Sequence, residues 1–354
     1  MNNKTKNHRQ SNIELLRILS MFFVLLIHTC SISLGPLTHT DFVNETSDSF
    51  IRVLLTAFSE VCVDVFVLIS GWFGIKPKSQ SLCNFIYQIV FFFIITSIMV
   101  KYIFGIDFSW GGLVWQTFFQ HSSYWFVVAY LILYALSPVL NAFIENNSRQ
   151  TIGRVIIMLF ICQTIFGWIG WRPYYSSGYS PLSFILLYLL ARYVHIFTPQ
   201  WGNMRKSYYL LSYMLISLLG ALSVFGIGYY FNNESFYNAV YGRWASYTSP
   251  FNIISALSLL LFFSKFRFHN RIVNFVAASS FSAYIFHCHP IFLESIYKGI
   301  VVKIHVLFTP PPLWAYAVST SFAIIVFGFA VMIDQVRKLS WGYVNNKWLK
   351  RIKQ

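Results

Sequence analysis

Arg17 and His28 are the two residues whose types and spacing most directly suggest chemistry in this chain. They lie in one apolar stretch, Ile13 to Ile32, with ten residues between them. Eleven positions make about three helical turns, so both side chains project from one face, separated along the axis by roughly 16 Å. A guanidinium and an imidazole inside a membrane helix cost free energy unless they meet a partner or a wet cavity, which marks the pair as a candidate site. The guanidinium suits an anion. The imidazole, past the middle of the span, suits a general base reached by water or substrate, or else a hydrogen bond to a neighbouring helix. Glu14, three residues before Arg17, is placed to pair with it, either as a topology-setting ion pair or as part of an anion site for a cytoplasmic ligand.

The second apolar stretch carries Glu60 and Asp64, four residues apart and so on one face. Two carboxylates one turn apart repel unless one holds a proton or a cation stands near, and Arg17 and His28 are the candidate cations. The pair then either holds the first two helices together by charge compensation or supplies a carboxylate that orients His28. A third cluster gathers Ser279, Ser282, Tyr284, His287, His289 and Glu294 around a Pro290. His287, Cys288 and His289 resemble metal ligands, but consecutive helical residues point about 100° apart, so no metal site is expected; one histidine facing the bundle interior is. Before the fourth span, His121, Tyr124 and Trp125 suit either an aromatic belt or a pocket mouth. Arg243 and Trp244, near Tyr237 and Tyr247, offer aromatic faces and hydrogen-bonding tips suited to sugar rings, and equally to interfacial anchoring.

The elements that must hold these residues follow from composition. Of the residues, 56% are hydrophobic, 20% aromatic and only 10% charged, against roughly 25% charged in ordinary soluble domains. Apolar runs of about 20 residues recur ten times, at 13–32, 50–73, 85–104, 124–144, 152–171, 181–197, 208–231, 246–263, 272–302 and 312–332. The ninth is overlong and broken by Pro290. An all-α polytopic membrane helix bundle of about ten transmembrane helices is expected.

Assigning alternate loops to the two faces puts nineteen Lys and Arg on the side of the termini and six on the other, with Arg17 inside the first span. By the positive-inside rule both termini are cytoplasmic, the protein sits in the plasma or inner membrane, and the net charge of +15 needs no nucleic-acid partner. The first span is too long, and too charged at Arg17, for a cleavable signal peptide. The five cysteines lie in or beside apolar spans and suggest no disulfide framework. With no linker or repeat, residues 1–354 read as a single membrane domain ending in a short basic tail.

Taken in order along the chain, these motifs resemble the acyltransferase-3 family of integral membrane acyltransferases, which O-acetylate bacterial surface polysaccharides and related acceptors. Glu14, Arg17 and His28 match its first-helix hallmark, Val63 to Gly71 its second-span block, Tyr124 to Pro138 its tryptophan-phenylalanine helix, and Ser282 to Pro290 its late serine-aromatic-histidine block. The resemblance implies acetyl transfer from cytoplasmic acetyl-CoA, a co-substrate, to a hydroxyl of a glycan at the outer face, with no metal. It assigns Arg17, beside Glu14, to the CoA phosphates, with Lys76 and Arg192 as further cytoplasmic contacts that topology explains as well. On that reading His28 takes the hydroxyl proton, Asp64 and Glu60 orient or balance it, and His121, Trp125, Tyr284, His287, Arg243 and Trp244 meet the acceptor. Two other classes stay open: a transporter or flippase using Glu60, Asp64 and His28 as a proton relay, and a scaffold, which leaves the polar residues unexplained.

Overall fold

A computed structural model describes residues 9–120, 124–308 and 312–352, and every regular element among them is helical. Helix α1 (Ser11–Ile27) runs directly into a π-helical turn, His28–Ser33. A short α2 (His39–Asn44) follows, begun by a reciprocal capping box between Thr38 and Asp41. The expected second span is two helices, α3 (Thr46–Ser59) and α4 (Cys62–Phe73), offset at Glu60 and Val61. Then come α5 (Ser79–Tyr102), α6 (Trp110–Phe118), α7 (Trp125–Glu145) and α8 (Arg149–Cys162), followed by α9 (Pro181–Phe197) and α10 (Lys206–Tyr230). The last third holds α11 (Glu234–Trp244), α12 (Pro250–Ser264), α13 (Arg271–Ala277), α14 (Ser280–His287), α15 (Lys298–Leu307) and α16 (Pro312–Ile352).

Among the described residues, 7 helical stretches are long and apolar enough to cross a bilayer. They cover seven of the ten expected runs. Of the others, α9 has 17 residues and α12 has 15, lengths of about 26 and 23 Å against a hydrocarbon core of roughly 30 Å. The ninth run is broken into α13, α14, a π turn at Phe292–Tyr297 and α15. Pro290 has no N–H to continue the ladder of α14, and chain direction changes there. Nor is the basic end a simple tail. The last helix continues past Met332, and its Asp334 is buried in an ion pair with Arg337 at 2.6 Å while accepting from Gln88 of α5 at 3.1 Å.

Helix α1 packs against α3, α4, α12, α13, α14 and α16, which puts its polar stripe inside the bundle. Two small-residue and polar contacts fix the walls around it. Gly71 lets α4 approach α9 so closely that a Cβ there would collide with the Tyr188 backbone carbonyl. The break between α3 and α4 is bridged by α12, where Asn252 Nδ2 donates to the Glu60 carbonyl (3.3 Å) and to Asp64 Oδ2 (3.2 Å).

Candidate active site

The π turn is where the first helix acquires its chemistry. Residues 28–33 read His-Thr-Cys-Ser-Ile-Ser, and their short polar side chains satisfy the carbonyls that a widened turn leaves over. Ser33 Oγ donates to the His28 carbonyl at 2.8 Å, and Thr29 Oγ1 bonds the Leu25 carbonyl at 2.9 Å and Tyr297 OH at 2.8 Å. The Cys30 carbonyl accepts from Arg52 Nε of α3 at 2.5 Å. Held this way, the His28 imidazole faces a chamber of about 390 Å³. Met21 and Val24 line the same chamber, so the stripe Met21, Val24, His28 is one face of α1, and Arg17 lies one turn earlier on it.

The tautomer of His28 follows from its neighbours. His287 Nδ1 is 2.6 Å from the Ala283 carbonyl, which can only accept, so Nδ1 carries the hydrogen and the neutral ring presents Nε2 as an acceptor. His28 Nδ1 lies 2.9 Å from that Nε2 and must donate to it. This leaves the lone pair on His28 Nε2. No protein group among the described residues bonds that nitrogen, and the ring opens on the chamber.

Two expectations change here. The residue that orients His28 is His287, not Asp64: Asp64 is fully buried, its Oδ2 held by Asn252 and its Oδ1 without a partner, and it does not line the chamber. The carboxylates that do line it are Glu60 and Glu294, the latter paired with Lys298 at 3.6 Å. Neither Glu60 nor Asp64 forms an ion pair among the described residues, so Arg17 and His28 do not compensate them. The argument that His287 and Cys288 cannot converge also fails, because α14 ends at His287. Ligand atoms of His28, His287 and Cys288 fall within 4.8 Å of one another. In this structure the two imidazoles meet at hydrogen-bond distance, along the line of a shared proton. His289 is separate, bonded through Nε2 to Ser97 of α5 at 2.9 Å.

Arg17 and Glu14 form the expected pair, Nη1 to Oε2 at 2.6 Å, and the other guanidinium donors of Arg17 have no partner among the described residues. Tyr130 lies within electrostatic reach of Arg17 and stacks on Phe126, a wall of the chamber, at 5.8 Å and 16°. Aromatic wall therefore runs from the guanidinium toward the imidazole. Lys76 is exposed; Arg192 packs over Gly74, whose φ of +74° places it beyond the end of α4.

Trp125 and Tyr284 line the chamber, so Trp125 belongs to a pocket wall rather than to a belt. Tyr124, its neighbour, is fully buried and donates to the Ile285 carbonyl at 2.5 Å, a carbonyl that α14 can no longer use once the helix stops. His121 lies outside the described residues. Arg243 and Trp244 do not line the chamber. The Arg243 guanidinium bonds the Ala239 carbonyl and lies over the Trp171 ring, while Trp244 packs on Phe251 and fills the space above Gly220. Their segment reaches the chamber through Tyr241 and Tyr247 instead, with Tyr179 packed edge-on against Trp125 at 4.3 Å. Nothing in the sequence separates these tyrosines from others, because a loop and a helix end bring them in. Arg52, one of the six Lys and Arg on the side away from the termini, supports the π turn, a role that no local pattern of the sequence marks.

No curated protein and no solved structure matches the chain. A family model for an acyltransferase domain does, over residues 10–332, which takes in the α1 stripe, both parts of the second span, the α7 aromatics and His287. A membrane-embedded chamber with one unblocked imidazole nitrogen suits acyl transfer, and with that match over nearly its whole length the chain belongs to the acyltransferase-3 family.

Proposed function

We propose that the protein transfers an acetyl group from acetyl-CoA, bound at the cytoplasmic mouth, to a hydroxyl of a glycan on or bound for the outer face of the cell membrane. Both termini are cytoplasmic in this reading, as the distribution of Lys and Arg favours. The observation that carries it is the hydrogen-bonded chain from the Ala283 carbonyl through His287 to His28, which leaves His28 Nε2 as a free acceptor in an enclosed chamber.

The chemistry needs one base. Nε2 takes the proton of the acceptor hydroxyl as its oxygen attacks the thioester carbonyl, and His287 Nε2 remains an acceptor for Nδ1–H throughout. The bond from carbonyl carbon to sulfur breaks, the CoA thiolate leaves with that proton returned from the imidazolium, and the ester and free thiol are the products. Arg17 supplies charge-assisted donors to the CoA phosphates, kept in place by Glu14. Lys76 at the same end adds positive charge, whereas Arg192 serves mainly to close α4. The roughly 16 Å from Arg17 to His28 matches the reach of an extended pantetheine arm. Glu60, Trp125, Tyr284 and the chamber tyrosines position the acceptor. Asp64 acts at one remove, through Asn252 and the α3–α4 break.

Purified protein with labelled acetyl-CoA and an acceptor glycan tests the reading. His28→Ala is expected to lose turnover while keeping acetyl-CoA binding, and Arg17→Ala to weaken that binding. Turnover at the wild-type rate in His28→Ala would remove the base assignment. Failure of acetyl-CoA to bind at all would favour the proton-coupled transporter instead.

A further inference from the structure

Arg52 is a buried cation with unspent donors. It is only 8% exposed, its Nε is committed to the Cys30 carbonyl, and its two terminal amino groups have no partner among the described residues. It forms no ion pair with any described carboxylate. A guanidinium withdrawn from water in this way is costly unless an anion meets it during function. It lines a second cavity of about 220 Å³ and is the one charged group among the residues lining it. Arg52 also lines an adjoining recess of about 790 Å³ together with Asp41, Glu45 and Asp48, none of which forms an ion pair with it.

The second cavity connects to the chamber by its own walls. Ser31 and Tyr241 line both, and the bond between them, Oγ to OH at 3.1 Å, forms the partition. Two residues, Thr29 and Cys30, separate Ser31 from His28 on the π turn. The same turn thus faces the imidazole into one space and the Cys30 carbonyl, with its Arg52, into the other. What lines the second cavity besides Arg52 suits a sugar ring. Tyr237 and Tyr241 are stacked at 6.0 Å and 16°, offering an aromatic surface, and Thr56, Asn238 and Ser31 supply hydroxyl and amide groups. At about 220 Å³ it falls below the roughly 300–1,000 Å³ of drug-sized pockets, the scale of a single ring.

Resting on the acyl-transfer reading above, we propose that this cavity is an acceptor subsite for an acidic sugar, whose carboxylate or phosphate is held by the free amino groups of Arg52 while a hydroxyl passes the Ser31–Tyr241 partition to reach His28. A guanidinium whose Nε is already fixed keeps a planar pair of donors aimed at one place, which is the arrangement for bidentate oxyanion recognition. The acceptor is therefore an anionic glycan, and neutral sugars of the same size are poor ligands.

Thermal unfolding of the full-length protein in nanodiscs tests this with D-glucuronate, glucose 6-phosphate, D-glucose and sn-glycerol 1-phosphate as probes, and acetyl-CoA as a separate ligand. Glucuronate or glucose 6-phosphate is expected to raise the Tm of the wild type, with glucose giving no shift. Arg52→Gln is expected to weaken the acidic sugar by about tenfold or more while the acetyl-CoA shift persists. Asn238→Asp, which leaves the Arg52–Cys30 bond in place but puts a carboxylate in the cavity, is expected to weaken it likewise, so a poorly folded Arg52 variant does not spoil the test. Equal shifts from glucose and glucuronate, glucuronate binding unchanged in both variants, or sn-glycerol 1-phosphate binding as tightly as the sugars would overturn the subsite, the last in favour of a lipid headgroup. An Arg52-dependent glucuronate shift with no acetyl-CoA shift would keep the subsite and remove acetyl transfer instead.

Discussion

His28 Nδ1 lies 2.9 Å from His287 Nε2, and the far nitrogen of His287 is tied to a backbone carbonyl one turn back in its own helix. The imidazole that faces the chamber is therefore aimed by a second imidazole and not by an acid. Removing that support while leaving His28 is expected to lower kcat by about 10²-fold, within the range that a misaligned general base costs. His287→Ala should show this with little change in the KM for acetyl-CoA, and His287→Gln, whose carboxamide oxygen can still accept from Nδ1–H, should recover part of the loss. Steady-state kinetics on the purified variants separate these outcomes.

The two carboxylates of the second span should behave differently. Glu60 lines the chamber and Asp64 does not. Glu60→Gln is expected to raise the KM for acceptor by about tenfold, the scale of one hydrogen bond to a charged group. Asp64→Asn keeps the shape and the contact with Asn252 and should stay within about threefold of wild type, since only a pairwise contact away from the chamber changes. A larger effect of Asp64→Asn than of Glu60→Gln would reverse the assignment.

Gly71 marks the closest approach of α4 and α9, where a single methyl group meets the Tyr188 backbone. Gly71→Ala is expected to destabilise the protein by about 1–3 kcal/mol through overpacking, seen as a lower Tm in detergent.

Tyr124→Phe removes the donor to the Ile285 carbonyl where α14 ends. A loss of about 1 kcal/mol is expected, typical of an interhelical side-chain hydrogen bond in a membrane bundle. Activity below the melting range should persist, because the tyrosine tip points at backbone and not at the chamber.

Asp334→Asn is expected to be the most damaging of these to stability, by about 3–5 kcal/mol, since it leaves Arg337, 3% exposed, as a buried charge without its carboxylate. Melting curves of the single and of Asp334→Asn with Arg337→Gln would test it; the double variant should regain part of the loss.

Much of this was legible in residue order. The Arg17–His28 spacing, the Glu14 pair and the aromatic helix opening at Trp125 are local patterns, and periodicity alone carries them into the fold. What sequence could not carry was the interruption of helices. The shift at Glu60 and Val61, the end of α14 before Pro290 and the widened turn after Ile27 decide which polar groups meet, and each depends on donors from distant segments: Asn252, Tyr124 and Arg52. An unbroken helix through His287 and Cys288 would point their side chains about 100° apart and keep them from converging on one ion. Charge complementarity favours Asp64 beside His28, whereas its one side-chain bond among the described residues is to an amide on α12. Tyr241 and Tyr247 arrive from a region whose composition also fits an interfacial loop.

The widened turn after Ile27 has one more implication. A strand of peptide one residue shorter there would be a better-formed rod, with every rung of its ladder occupied and no need for an arginine to mop up a stray oxygen. It would also rotate the part of the first helix beyond His28 by about 100° relative to the part that carries Arg17, turning the wall that Ser31 and Ile32 give the chamber away from it. Regularity at that point and reactivity are thus mutually exclusive, and the protein has kept the irregular option.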